Sequence, residues 1–90
     1  MACYVVKRHL PGITPDALTS AGLRAKSCAA EMTDEGTPVA WLRSFFIPKT
    51  EQTHCYFDAP SADAVKEVNE RANIPYLEIY EAQELAPEAV

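Results

Sequence analysis

The sequence predicts an α+β domain of the ferredoxin-like kind: βαββαβ order, a four-stranded antiparallel sheet, and two helices on one face. Three observations lead there. Four short runs are rich in β-branched and aromatic residues, which suit extended backbone. Two longer runs begin with helix-capping residues and continue with apolar positions three and four apart. The right-handed crossover rule then closes this order into one sheet with both helices on the same side.

The first run, "CYVVKRHL" at residues 3–10, is β-branched and stops at Pro11-Gly12, so it is a strand. In "TPDAL", Thr14 is the N-cap and Pro15 the first helical residue; Asp16 sits in the first turn, where its charge suits the helix dipole. Leu18, Ala21, Ala25, Cys28 and Met32 form one apolar stripe, and Gly36 with Pro38 ends the helix. Residues 39–47, "VAWLRSFFI", make a second strand, and "PKTEQ" turns the chain into a third, "THCYFDA", giving a hairpin over 39–59. Ser61 caps the second helix, Val65, Val68 and Ala72 are its buried stripe, Glu67 precedes Arg71 by one turn, and Asn73 with Pro75 stops it. "YLEIYEA" alternates as a fourth strand. The expected domain is therefore 1–82, followed by a polar, proline-interrupted tail at 83–90.

Composition narrows the functional classes. The 90 residues suffice for one core. With 48% hydrophobic and 23% charged residues, the chain reads as an ordinary globular domain. A net charge of −5 with no basic run argues against nucleic acid. No stretch is long and apolar enough to span a membrane, and the N-terminus lacks the pattern of a signal peptide, so the expected location is the cytoplasm. Cys3, Cys28 and Cys55 are odd in number and form no CxxC, which points to reduced thiols.

A sheet with helices on one face and water on the other should be polar at every second residue. The second strand is not. Val39, Trp41, Arg43, Phe45 and Ile47 are mostly apolar, and so are Ala40, Leu42 and Phe46. The economical reading is a homodimer whose two open faces pack together, a barrel-like α/β assembly. With Arg43 unsuited to a place beneath helices, Trp41, Arg43 and Phe45 are assigned to the open face. Lys7, His9 and Val5 join them from the first strand, and Cys55 and Phe57 from the third. A single β-bulge would reverse one strand of this scheme.

Several stretches carry a resemblance. "YVVKRHLPG", "AWLRSFF", "THCYFDAPSADAVKEV" and "ANIPYLEIYE" resemble a family of small bacterial proteins of unknown function that includes a nickel-binding member. The match runs from Tyr4 to about Glu81. Its most specific parts are Trp41-x-x-Ser44-aromatic and Thr53-x-Cys55-x-aromatic-x-Ala59-Pro60. The resemblance implies a dimeric ferredoxin-like fold and nickel, or another divalent metal, as a cofactor. The family pattern usually has an acidic residue at the position of Lys7 and often a histidine at that of Arg43. Ammonium and guanidinium offer no lone pair, so this chain departs from the pattern where ligands are expected.

Neighbours on a strand point to opposite faces, so His54 and Cys55 should not converge on one ion. Cys55 beside Lys7 and Arg43 would be an activated thiol; the commoner alternative is a small buried hydrophobe. Cys28 belongs to the core. The best metal-ligand set on offer is His9, Cys55 and Glu78, although Glu78, like Glu67, Glu70 and Glu81, also reads as solvated surface. No GxSxG, glycine-rich phosphate loop or HExxH occurs, so no catalytic motif assigns an enzyme activity. The leading expectation is a homodimer that binds a small anionic ligand or metal ion in the open-face cleft, lined by Lys7, Trp41, Arg43 and Cys55. Alternatives are a nickel-binding protein, a monooxygenase- or isomerase-like enzyme working without cofactor or with haem, and a purely structural dimerisation domain.

Overall fold

The computed structural model describes residues 1–90. Strand β1 (Ala2–His9) leads through Gly12 to helix α1 (Pro15–Asp34), then β2 (Ala40–Ile47), β3 (Gln52–Ala59), α2 (Ala62–Arg71) and β4 (Glu78–Ala82). The strands are ordered β2-β3-β1-β4 and every pairing is antiparallel, which is the ferredoxin-like arrangement. The last strand starts at Glu78 rather than at Tyr76, although Leu77 already donates its backbone N–H to the carbonyl of Lys7 at 2.7 Å. No helix is long and apolar enough to cross a membrane.

Local chemistry sets the helix ends. The Thr14 hydroxyl accepts from the Ala17 N–H, and the Ser61 hydroxyl from that of Ala64, each satisfying a donor that the first turn leaves free. Both helices close in the same way, with a left-handed residue after the last turn. In α1 it is Gly36 (φ 104°), with Thr37 N–H bonded to Met32 carbonyl; in α2 it is Asn73 (φ 54°), with Ile74 N–H bonded to Asn69 carbonyl. Arg71 then ties the end of α1 to α2. It holds Glu31 and Glu35 at 2.8 Å and Glu67 at 2.5 Å, and its hydrogen bonds keep the Glu35 carboxyl below the usual carboxylate range.

One core lies between the sheet and the helices. Val6, Phe57, Val65 and Val68 are fully buried, with Ala21, Ala25, Ala29 and Met32 along α1 and Ala64 and Ala72 on α2. Small residues on α1 let the helix lie close to the sheet. Cys28 packs at the edge of this core, half-buried.

The register corrects the face assignment in β2 and β3. A bulge at Leu42 lets Trp41 pair with Phe57 while Arg43 pairs with Tyr56. Directly paired residues share a face. Trp41 therefore lies beneath the helices with Phe57, and its ring reaches within 3.1 Å of the place a Cβ on Gly22 would occupy. A Cβ there would have to push the ring back by a few tenths of an ångström. Cys55 and Phe57 are also buried under the helices and not on the open face, because β3 alternates Thr53, Cys55, Phe57 and Ala59 inward against His54, Tyr56 and Asp58 outward. For β1 the expected alternation holds: Tyr4, Val6, Arg8 and Leu10 face the core, while Val5, Lys7 and His9 do not.

Candidate functional site: the open sheet face

The open face is built from two transverse rows. In one, Phe45, His54, Lys7 and Glu78 stand side by side across β2, β3, β1 and β4; in the next, Arg43, Tyr56, Val5 and Tyr80 do the same. Phe45 and Tyr56 meet edge to face with ring centroids 6.4 Å apart. Phe45, 59% exposed, ends the first row on β2 and Tyr80, 50% exposed, ends the second on β4, so aromatic surface stands at both edges of the face. Lys7 sits near the middle, on an interior strand, and none of the fold's ion pairs includes it. Arg43 differs: its guanidinium is 3.6 Å from Glu84, in the tail beyond β4, and both side chains are more than half exposed.

Beyond Ala82 the chain forms only a short 3-10 turn at Pro87–Ala89. The Glu84 contact brings its start over one end of the open face, where Cys3 pairs with Asp58 on one side and Ala82 on the other. Burial pushes the Cys3 thiol up, Asp58 and Glu84 push it further, and Arg43 opposes them.

Of the residues expected to gather here, Lys7, Arg43, His9 and Glu78 share the open face, with Arg43 on an edge strand two strands away from Lys7. Trp41 and Cys55 lie on the other side of the sheet, facing the helices. The suggested metal set of His9, Cys55 and Glu78 therefore cannot converge, since the backbone of the sheet stands between Cys55 and the others. The separation of His54 from Cys55 matches the expected strand geometry. Nowhere in the protomer do three or more His, Cys, Asp or Glu side chains stand together as a metal cage. His54 and Glu78 share the open face, yet the Lys7 ammonium stands between them. A single chain thus does not offer the convergent donors a divalent transition metal needs.

Reasoning from the sequence missed Arg8. It is only 2% exposed, on the helix side of β1. Its Nε donates to Cys55 Sγ at 3.3 Å, one Nη to Asn69 Oδ1 at 2.7 Å and the other to the Pro75 carbonyl at 3.4 Å. The signal was present in "VVKRHL": Arg8 falls between Val6 and Leu10 in a period-two series that has to be buried.

The family model described as "Nickel responsive protein SCO4226-like" matches residues 4–82. The crystal structure of SCO4226 from Streptomyces coelicolor A3(2) is similar to this chain, with a TM-score of 0.77 and 30% sequence identity. The match covers 94% of this chain and 100% of that one. No curated protein matches.

Proposed function

The chain belongs to the SCO4226-like family of nickel responsive proteins, and from that premise we propose that it acts as a homodimer, joined through the open sheet faces, that holds a small anion at the seam. The observation that carries this reading is Lys7: a half-buried cation without an ion-pair partner, amid exposed aromatic surface. Packing a second copy over Phe45 and Tyr80 would remove apolar surface from water and take solvent away from Lys7 as well. Glu78, its cross-strand neighbour, forms no ion pair with it, so Lys7 keeps its charge free for an anion bound between the sheets. Arg43 is the second cation available to such a ligand, once it exchanges Glu84 for it.

A second reading rests on His54 and Glu78, which flank Lys7 on the same face. Nickel would be held between protomers, with each copy lending an imidazole and a carboxylate and Lys7 turned aside. Titration calorimetry with citrate and with nickel chloride separates the two. The anion reading expects citrate heat that Lys7→Gln abolishes, and nickel heat no stronger than exposed histidines give. Micromolar nickel binding lost in His54→Ala, with no citrate binding, would replace it with the metal reading.

A further inference from the structure

The opposite side of the sheet holds a cavity of about 310 Å³ between α1 and the strands, separated from the Lys7 and Arg43 side chains by the sheet itself. Its walls are apolar: Leu10, Leu18, Leu23, Trp41, Phe46 and Ile74. Its floor is not. Arg8, Thr53 and Cys55 line it from neighbouring strands, and Arg8 is paired with Thr53 in the β1–β3 register. The size is at the lower end for pockets that take small organic ligands, and an apolar chamber with a few polar groups at one end is their usual design.

Two features of the floor are not explained by the fold alone. Arg8 is a buried guanidinium without a carboxylate partner. Its contacts to Cys55, Asn69 and Pro75 occupy three of its five N–H donors and neutralise none of its charge. A buried charge of this kind is costly unless something of opposite sign comes to it. The second feature is Thr53, 1% exposed, whose hydroxyl has no hydrogen-bond partner in the protein. A buried orphan hydroxyl costs free energy, so it is a poor choice for a purely structural position where valine would fit. Trp41 adds a third element: the Leu42 bulge turns its ring inward, and its Nε1 donates to Ser44 Oγ at 2.9 Å, fixing the ring as a wall.

We propose that this cavity binds a small monocarboxylate with an apolar body. The carboxylate lies on Arg8 and the Thr53 hydroxyl, and the hydrocarbon runs along Leu18, Leu23, Phe46 and Trp41. A planar carboxylate accepts the guanidinium's spare donors and the hydroxyl together, while the walls suit an aliphatic or aromatic chain. The site is independent of the proposed seam, because the sheet separates them.

Trp41 is the chain's one tryptophan and lines the cavity, so its fluorescence reports occupancy directly. The experiment titrates the full chain with octanoate and, as a neutral match, with 1-octanol. Saturable change with octanoate, about tenfold tighter than with octanol, is expected for a charge-assisted contact. Thr53→Val keeps the shape and removes the orphan hydroxyl, so the melting temperature should hold or rise while octanoate weakens several-fold. Arg8→Met should abolish the preference for octanoate over octanol, and Lys26→Gln, at an exposed position of α1, should leave octanoate binding unchanged. Equal affinity for octanoate and octanol, no saturable response, or unaltered octanoate binding in folded Thr53→Val would each overturn the proposal.

Discussion

At the scale of single residues, faces decide chemistry. Lys7 and Arg8 are adjacent in sequence and look interchangeable there, yet one stands on an open sheet and the other is sealed beneath two helices. The cysteines divide in the same way. Cys55 is buried against Arg8, whereas Cys3 is half-buried on the open face, where burial and then the carboxylates of Asp58 and Glu84 hold its thiol above the ordinary range. The reactive species is the thiolate, so a raised pKa means slower alkylation at neutral pH. Mass-spectrometric mapping of iodoacetamide labelling should find Cys3 modified more slowly than free cysteine. Glu84→Gln removes one opposing charge and should speed Cys3 labelling; Arg43→Gln removes the favourable one and should slow it. Cys3 reacting as fast as free cysteine would show that its surroundings exert no such control.

At the scale of elements, the sequence is legible wherever one residue type has one physical consequence. Thr14 and Ser61 cap because their hydroxyls reach an unpaired N–H, and Gly36 and Asn73 stop helices because they tolerate positive φ. The alternation in β1 rests on Tyr4, Val6 and Leu10 against Val5, Lys7 and His9, because either register buries one cation, and here that cation is Arg8. What composition could not reveal is the bulge in β2. Both alternating sets of "VAWLRSFFI" are mostly apolar and its two polar residues, Arg43 and Ser44, fall one in each, so neither marks where the period slips. The assignment of Trp41 failed for that reason, and the cavity on the helix side went unread with it. Cys55 and Phe57 failed on a related ground: His54 and Tyr56 are amphipathic enough to stand on either side, which left β3 without a clear polar face. The bulge itself is testable. Leu42 is 41% exposed and is the extra residue between two correctly paired neighbours, Trp41 and Arg43. Deleting it should restore a regular strand with both neighbours on their present faces. Stability should fall by only about 1–2 kcal/mol, the range of an ordinary single change. Trp41 emission should stay that of the native, half-buried indole; a shift to the emission of a fully solvated indole would show that Leu42 is needed to keep the ring inside.

At the scale of the molecule, the question is what covers the second side of the sheet. A chain of this length buries little more than about 60% of its unfolded surface, so added burial matters. The helix side is served by its own core. On the open side Phe45, Tyr80 and Ile47 remain 59%, 50% and 37% exposed, on the face that carries the central Lys7. Scattered exposed apolar residues need no explanation, but Phe45 on one edge strand and Tyr80 on the other are joined across the sheet by Tyr56 and Val5, which makes a continuous band. The occupant proposed for that patch is a second copy, which would meet Phe45 and Tyr80 with the same residues under two-fold symmetry. Sedimentation velocity over a concentration series should then show a dimer, and the melting temperature should rise with concentration. Phe45→Glu would put a carboxylate at the seam. It should raise the dimer dissociation constant roughly thirtyfold or more, the effect of losing a hot-spot contact of about 2 kcal/mol. Lys26→Glu on the exposed outer side of α1 should leave it unchanged. If the wild-type chain sediments as a single subunit at every concentration, the open face is a finished surface in its own right. The anion at Lys7 would then have to bind without an enclosing partner, while the buried Arg8 cavity would be unaffected, because one protomer supplies all of it.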